Sequence, residues 1–97
     1  MYYFVEFDPC DGSKRVQIVE AYEKFANHFQ TVLPNFKFVG LYARNVLLGS
    51  RPHYLGIWEF SEYSDLDEWN RVFAADKEGR TLAKNLRELA TDWEAKV

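Results

Sequence analysis

Three charged side chains, Glu6, Arg44 and Glu59, interrupt segments that are otherwise apolar and aromatic. A carboxylate in apolar surroundings can act as a general base, and a guanidinium can hold an anion or an oxyanion. We therefore predict Glu6 or Glu59 as a general base and Arg44 as the anion-holding partner. The alternative is a structural ion pair at a sheet end or a subunit interface, because an unpaired buried charge is unfavourable.

The neighbours of these charges would line a ligand pocket. Alternate residues of a strand share a face, so Phe4, Tyr42 and Ile57 fall beside Glu6, Arg44 and Glu59, respectively. The other predicted pocket residues are His53, Tyr54 and Trp69. His53 could carry a proton at the pocket rim. Two simpler interpretations are a rim histidine without a role and a Trp69 that only packs a helix on the sheet.

The composition of the chain argues against several classes of binding partner. The chain has 97 residues, which indicates a single domain spanning residues 1–97. Twelve basic residues stand against fifteen acidic ones, for a net charge of -3, and the basic residues are dispersed, so nucleic-acid binding is not expected. Two histidines and one cysteine give no metal-ligand spacing, and no glycine loop for phosphate appears. We expect neither a metal nor a cofactor.

The same totals predict a cytoplasmic protein. No apolar run approaches the roughly 18 residues of a membrane span, so no membrane partner is expected, and a single cysteine, Cys10, fits a reducing compartment. Aromatic residues make up 18% of the chain, more apolar surface than one small domain usually hides. This excess points to a subunit interface, a ligand cavity, or both.

Hydrophobic periodicity predicts the elements that position these residues. Residues 2–7 and 54–60 form short apolar strands, and residues 36–48 form a long strand with a bulge near Gly40. The 4-3-4-3 spacing of apolar residues predicts a helix over residues 14–32. A second helix starts near Ser64, breaks at residues 76–80, and continues through Leu82, Leu86, Leu89 and Trp93.

The predicted order of strand, helix, strand, strand and broken helix is that of an α+β, ferredoxin-like split βαβ fold with an antiparallel sheet. Its second and third strands would form a hairpin through residues 49–52. The usual fourth strand would follow Trp93, where four residues remain. We therefore predict that this strand is vestigial or absent.

Three stretches carry a resemblance to a known superfamily: Trp58–Phe60 at a strand end, Ser61–Trp69 entering a helix, and Asp76–Arg80 at the helix break. By this pattern the chain resembles the dimeric α+β barrel superfamily, and in it the NIPSNAP-like and antibiotic-biosynthesis-monooxygenase-like proteins. The resemblance implies a homodimer in which two sheets pack face to face. It also implies a small-molecule site, since the superfamily includes cofactor-free oxygenases, isomerases and haem-degrading enzymes.

The haem-degrading members use an asparagine on the first strand, a tryptophan early in the second helix and a histidine ten residues later. Trp69 matches the tryptophan, whereas Gly79 stands at the histidine position and residues 2–7 contain no asparagine. The resemblance therefore does not extend to haem degradation.

These observations predict a homodimeric, cofactor-independent monooxygenase or isomerase that acts on a small aromatic or polyketide-like compound. The alternative is a non-catalytic, ligand-binding or stress-associated homodimer. A third interpretation is an open three-stranded sheet that recruits partner strands at its edge.

Overall fold

In a computed structural model of the chain, four strands and three α-helices account for most of the described residues, which are 1–43 and 53–97. The strands are β1 (Tyr2–Pro9), β2 (Lys37–Ala43), β3 (Tyr54–Glu59) and β4 (Ala90–Lys96), and the helices are α1 (Arg15–Val32), α2 (Ser64–Ala75) and α3 (Lys77–Leu89). A short 3-10 helix, Gly12–Lys14, precedes α1. Arg44 and the predicted turn at residues 49–52 lie outside the described residues.

The sheet has the order β2-β3-β1-β4, and its three strand pairs are all antiparallel. Chain order and sheet order together give the predicted split βαβ fold, in which β3 lies between β1 and β2. The helices cover one face of this sheet, which we call the helix side. The opposite face, the helix-free face, carries Tyr2, Phe4 and Glu6 of β1 beside Glu59, Ile57 and Leu55 of β3.

The prediction that the fourth strand is vestigial or absent was wrong, because β4 pairs with β1 along its length. The helix ends at Leu89, and Trp93, counted as the last residue of the helical stripe, belongs to β4. The Trp93 ring stacks on Phe7 with 4.3 Å between centroids. Strand β1 gains hydrogen-bonding partners on its second edge, and an aromatic at Trp93 is as compatible with a strand as with a helix.

A register shift between Phe38 and Gly40 confirms the predicted bulge in β2. The shift also changes which residues share a face. Phe38 lies opposite Trp58 on the helix side, whereas Gly40 and Tyr42 lie opposite Ile57 and Leu55 on the helix-free face. Strict alternation would place Phe38 on the same face as Tyr42, and the extra residue of the bulge moves it to the opposite face.

The core lies between the sheet and the helices and is dominated by aromatic rings. Fully buried Trp58, Tyr22 and Phe29 are among its largest side chains, and Trp69 contacts both Trp58 and Phe29 at centroid distances of 5.2 and 5.4 Å. Much of the aromatic excess in the sequence is therefore used inside the domain. None of the helices that the structure describes is long and apolar enough to cross a membrane.

Candidate functional site

A cavity of about 380 Å³ lies between the helices and the sheet. Strands β1 and β4 form one wall, and residues of all three helices form the others. The residues that line it are Tyr3, Val5, Tyr22, Phe25, Trp69, Asn70, Phe73, Ala83, Leu86, Arg87, Trp93, Glu94 and Ala95. Its volume lies within the range of small-molecule sites, which is about 300–1,000 Å³, and its mainly aromatic and aliphatic walls are typical of them.

Two polar groups on the cavity wall have no protein partner among the described residues. The Tyr3 hydroxyl and the Trp69 indole N–H take part in none of the side-chain hydrogen bonds found there, and their rings meet edge to face at 5.4 Å between centroids. Burial raises the pKa of the Tyr3 phenol, so the hydroxyl stays protonated and available as a donor at neutral pH. A bound molecule could accept hydrogen bonds from both groups.

A second phenol lies deeper in the same wall. The Tyr22 oxygen accepts a hydrogen bond of 3.0 Å from the Trp58 indole N–H, and both side chains are buried. Burial raises the pKa of Tyr22 strongly, so this phenol also remains neutral.

Two polar side chains, Asn70 and Arg87, are exposed where the cavity meets solvent. Arg87 forms no ion pair within residues 1–43 and 53–97, whereas Glu94, which pairs with Glu6 across the sheet, has its carboxylate 3.6 Å from Lys96 Nζ on the helix-free face. The site thus combines an aromatic interior with a mouth at which the Arg87 guanidinium has no ion-pair partner among the described residues.

The predicted catalytic residues do not lie in this cavity. Glu6 is on the helix-free face, where Lys96 Nζ donates to its carboxylate at 3.1 Å and His53 Nε2 lies 3.3 Å from it. Lys96 foremost, and then His53, hold the pKa of Glu6 below its usual value. Glu59 is exposed and lies four residues along β3 from Leu55, the partner of Glu6, a separation of about 13 Å at strand spacing. Arg44 is outside the described residues.

His53 joins Glu6 in a charged cluster on the helix-free face. Its Nδ1 lies 2.8 Å from the Asp8 carboxylate, and this contact, followed by that with Glu6, raises the pKa of His53. The partner of Glu6 predicted from the sequence was Arg44, while the partners seen in the structure are Lys96 and His53. Lys96 belongs to the strand that was not expected to form, so no sequence pattern could have proposed it.

The predicted pocket residues divide between the two faces of the sheet. Phe4 and Ile57 pair on the helix-free face, and Tyr42 is half exposed there. Tyr54 is buried on the helix side, where it stacks on Phe7 at 5.3 Å. Trp69 lines the cavity. A pocket made from all of these residues at once is therefore not formed by one chain.

The surroundings of Gly79 test the resemblance to haem-degrading proteins, which carry a histidine at this position. A Cβ atom built on Gly79 would come within 2.5 Å of the Phe29 ring, so the space that a histidine there would need is already filled. The residues present do not fit haem ligation at this position. Among the described residues, no group of three or more histidine, cysteine, aspartate or glutamate side chains is placed to hold a metal ion.

Another histidine contact fixes the helix junction beside Gly79. His28 of α1 hydrogen-bonds the carboxylate of Asp76, the residue between α2 and α3. The His28 contact first, and the backbone N–H groups of Gly79 and Glu78 after it, lower the pKa of Asp76. Neither His28 nor Asp76 lines the cavity, and the pair ties α1 to the start of α3.

Comparisons with protein-family models and with curated proteins found no match. Comparison with solved structures found several. Atu4242 from Agrobacterium tumefaciens, a NIPSNAP family protein of unknown function, superposes with a TM-score of 0.74 at 20% identity, over 99% of this chain and 89% of that one. An uncharacterized NIPSNAP domain protein from Burkholderia xenovorans gives 0.74 at 14% identity, over 99% and 90%.

The same comparison found SnoaB, a cofactor-independent oxygenase from Streptomyces nogalater, with a TM-score of 0.64 at 16% identity, over 98% of this chain and 86% of that one. The chain has the ferredoxin-like fold of NIPSNAP and antibiotic biosynthesis monooxygenase proteins. At these identities the likeness is one of fold. The ferredoxin-like architecture predicted from the sequence is thereby confirmed.

Sequence reasoning missed Tyr3, Asn70 and Arg87 as site residues. Alternation along residues 2–7 places Tyr3 on the same strand face as Val5 and Phe7. A hydroxyl on a face that is otherwise apolar was the signal that could have identified Tyr3. Arg87 follows Leu86 of the apolar stripe directly, which places it at the edge of the buried face of α3.

Proposed function

We propose that this protein binds a small aromatic compound in the cavity between the helices and the sheet, and that it acts on it as a cofactor-independent oxygenase. The observation that carries the proposal is an aromatic-walled cavity of about 380 Å³ that presents the Tyr3 hydroxyl and the Trp69 N–H, neither of which has a protein partner in the part of the chain that the structure describes. Aromatic walls favour flat, apolar ligands, and a few placed donors fix their orientation. The resemblance in fold to SnoaB, itself a cofactor-independent oxygenase, supports the choice of reaction.

The proposed chemistry needs a substrate that gives electrons to dioxygen itself. An activated methylene between two aromatic rings is such a group. It loses two C–H bonds and gains one C=O bond, while the second oxygen atom leaves as water. The substrate supplies the four electrons that dioxygen accepts.

The chain would contribute charge stabilisation, and the proton lost from the methylene would pass to water at the cavity mouth. Among the described residues no carboxylate points into the cavity, because the Glu94 side chain lies on the helix-free face. Donors such as Tyr3 and Trp69 would stabilise the oxyanion that forms on deprotonation, most strongly where water is excluded. The earlier assignment of base and anion holder to Glu6, Glu59 and Arg44 remains a prediction for a lumen between two subunits.

Anthrone, which has a methylene opposite a carbonyl, is a direct test. We expect the protein to accelerate oxygen uptake and anthraquinone formation over the uncatalysed reaction, and Tyr3→Phe to lower the rate about 10²-fold, because one donor to the oxyanion is lost. Tyr2→Phe, which loses a hydroxyl on the helix-free face, should leave the rate unchanged. Binding without turnover would favour the alternative of a non-catalytic ligand-binding protein, and no binding would contradict the proposal.

We further propose that a second copy of the chain covers the helix-free face. Phe4, Leu55 and Ile57 are half-buried there, and Tyr2 and Tyr42 are 50% and 52% exposed. Four strands about 4.8 Å apart and six to eight residues long give a face roughly 20 Å on each side. Such a face, about 400 Å² in flat area, would supply roughly half of the ~800 Å² per partner of a standard interface.

A further inference from the structure

The polar groups of the cavity interior are hydrogen-bond donors. Tyr3 contributes a hydroxyl, Trp69 an indole N–H, and Tyr22 a second hydroxyl. An indole N–H can only donate. Tyr22 already uses its oxygen as the acceptor for Trp58 Nε1–H at 3.0 Å, so the capacity it has left is mainly as a donor.

A glycine on the sheet makes room for this arrangement. A Cβ atom on Gly56 would lie 2.3 Å from the Tyr22 hydroxyl oxygen and 2.8 Å from its Cζ. Any larger residue would displace the hydroxyl from the sheet. Gly56 and Trp58 together therefore hold the Tyr22 phenol in place from the side opposite the helices.

The Tyr3 and Trp69 donors reach accessible space instead of being sealed in the core. No side-chain nitrogen or oxygen in the described part of the chain is both fully buried and without a partner. Tyr3 and Trp69 line the cavity, their polar atoms have no protein acceptor within residues 1–43 and 53–97, and their rings are in contact. Both donors therefore border the space that a bound molecule would occupy.

Acceptors are scarce on the same walls. The Glu94 carboxylate lies 3.6 Å from Lys96 Nζ on the helix-free face. At the mouth Asn70 offers an amide, and Arg87 adds further donors. A ligand that buries these donors without accepting from them would leave them unsatisfied, which is costly. Because the cavity offers more hydrogen-bond donors than acceptors, it favours ligands with an oxygen atom that can accept hydrogen bonds.

We propose that the cavity selects aromatic carbonyl compounds, whose carbonyl oxygen accepts hydrogen bonds from the Tyr3 hydroxyl and the Trp69 indole N–H. This inference rests on the proposed function, since it uses the same cavity. It assigns Tyr3 a role in specificity that no sequence pattern had indicated. Burial keeps the Tyr3 and Tyr22 phenols protonated, in accord with their raised pKa values, so the selection holds across the neutral pH range.

Fluorenone and fluorene test the inference, because they share one flat three-ring shape. Fluorenone has a carbonyl group at the position where fluorene has a methylene group. Equilibrium dialysis with quantification by absorbance gives both dissociation constants. Two hydrogen bonds predict that the protein binds fluorenone about tenfold more tightly than fluorene. Tyr3→Phe should reduce this preference severalfold and leave fluorene binding unchanged.

Tyr2→Phe is the matched control, because Tyr2 loses the same hydroxyl on the opposite, helix-free face. It should retain the full preference for fluorenone. Comparing the two ligands within one variant removes any effect of folding. Equal binding of both ligands to the unmodified protein, or an unchanged preference in Tyr3→Phe, would overturn this inference and leave the proposed function standing. Binding of neither ligand would contradict the proposed function as well.

Discussion

At the scale of single residues, Gly56 decides where the Tyr22 hydroxyl can lie. The space that a side chain would occupy at this position of β3 is taken by the phenol of Tyr22, which Trp58 holds by its indole N–H. Since Tyr22 and Trp58 are both buried, the ring cannot swing away into solvent. A larger residue at position 56 would therefore strain the core.

We predict that Gly56→Ala destabilises the protein by about 1–3 kcal/mol, the usual cost of overpacking. Chemical denaturation with urea would measure the change. Gly12→Ala is the control, because nothing lies within 4 Å of a Cβ atom there, and its effect should stay within about 0.5 kcal/mol. Gly56→Ala should cost less in a Tyr22→Phe background than in the unmodified protein, because the closest clash is then absent. A Gly56→Ala variant as stable as the unmodified protein would contradict this account.

The sheet face on which a side chain lies could be predicted from the sequence only where it followed from the alternation of residues along a strand. Glu6, Ile57 and Phe4 fall on one face of the sheet, as the alternation indicated. The partners of Glu6 could not be predicted, because Lys96 approaches it from a strand hidden in a helix-like pattern. The Tyr3 site was missed because a cavity forms from the packing of five elements, which no local spacing encodes.

At the scale of the elements, the two faces of the sheet differ in what covers them. The helix side is packed by α1, α2 and α3, whereas the described residues leave the opposite face open. Ile57 lies near the middle of that face, between Phe4 on β1 and Gly40 on β2. Ile57 thus has Phe4 on one side and, on the other, Gly40 with the Tyr42 ring close by. An apolar surface of this kind is typical of a face that another protein surface covers.

We predict that the protein is a homodimer and that Ile57→Lys makes it monomeric, because the lysine charge would be buried without a partner in the interface. Size-exclusion chromatography with light scattering at several concentrations would show the change in mass. Val16→Lys is the control, since Val16 is 66% exposed on α1, and it should leave the dimer intact. A monomer before any substitution, or an Ile57→Lys variant that still dimerises, would contradict the proposed interface.

The elements themselves were largely predictable, with one informative exception. The 4-3-4-3 stripe of α1 and the break near Asp76 depend on local periodicity and local backbone preference, and both occur as predicted. Strand β4 was not predicted, because the apolar residues before and within it continue one helical spacing, namely Leu82, Leu86, Leu89 and Trp93. The long-range stacking of Trp93 on Phe7, and the pairing of β4 with β1, override that local pattern.

At the scale of the whole molecule, the two faces of the sheet are two competing locations for a ligand. The sequence favoured a lumen on the helix-free face, lined by Phe4, Tyr42 and Ile57. The folded chain contains its own cavity on the helix side, next to Trp69. The two locations can be distinguished by experiment, because a bound aromatic ligand would contact different side chains in each.

The sequence supplies a probe for each side. Ile18 and Ile57 are the two isoleucines of the chain; Ile18 is buried in the core, and Ile57 lies on the helix-free face. Of the three tryptophans, Trp69 and Trp93 line the cavity. Isoleucine methyl and tryptophan indole signals in one NMR sample therefore distinguish the two locations.

The most direct test of the account is a titration of this labelled protein with fluorenone. Binding in the cavity predicts that the Trp69 indole signal shifts and saturates, accompanied by that of Trp93, while the Ile57 methyl signal stays in place. Trp69→Phe assigns the decisive peak. A shift of Ile57 with an unmoved Trp69 signal would place the ligand on the helix-free face and contradict the proposed site.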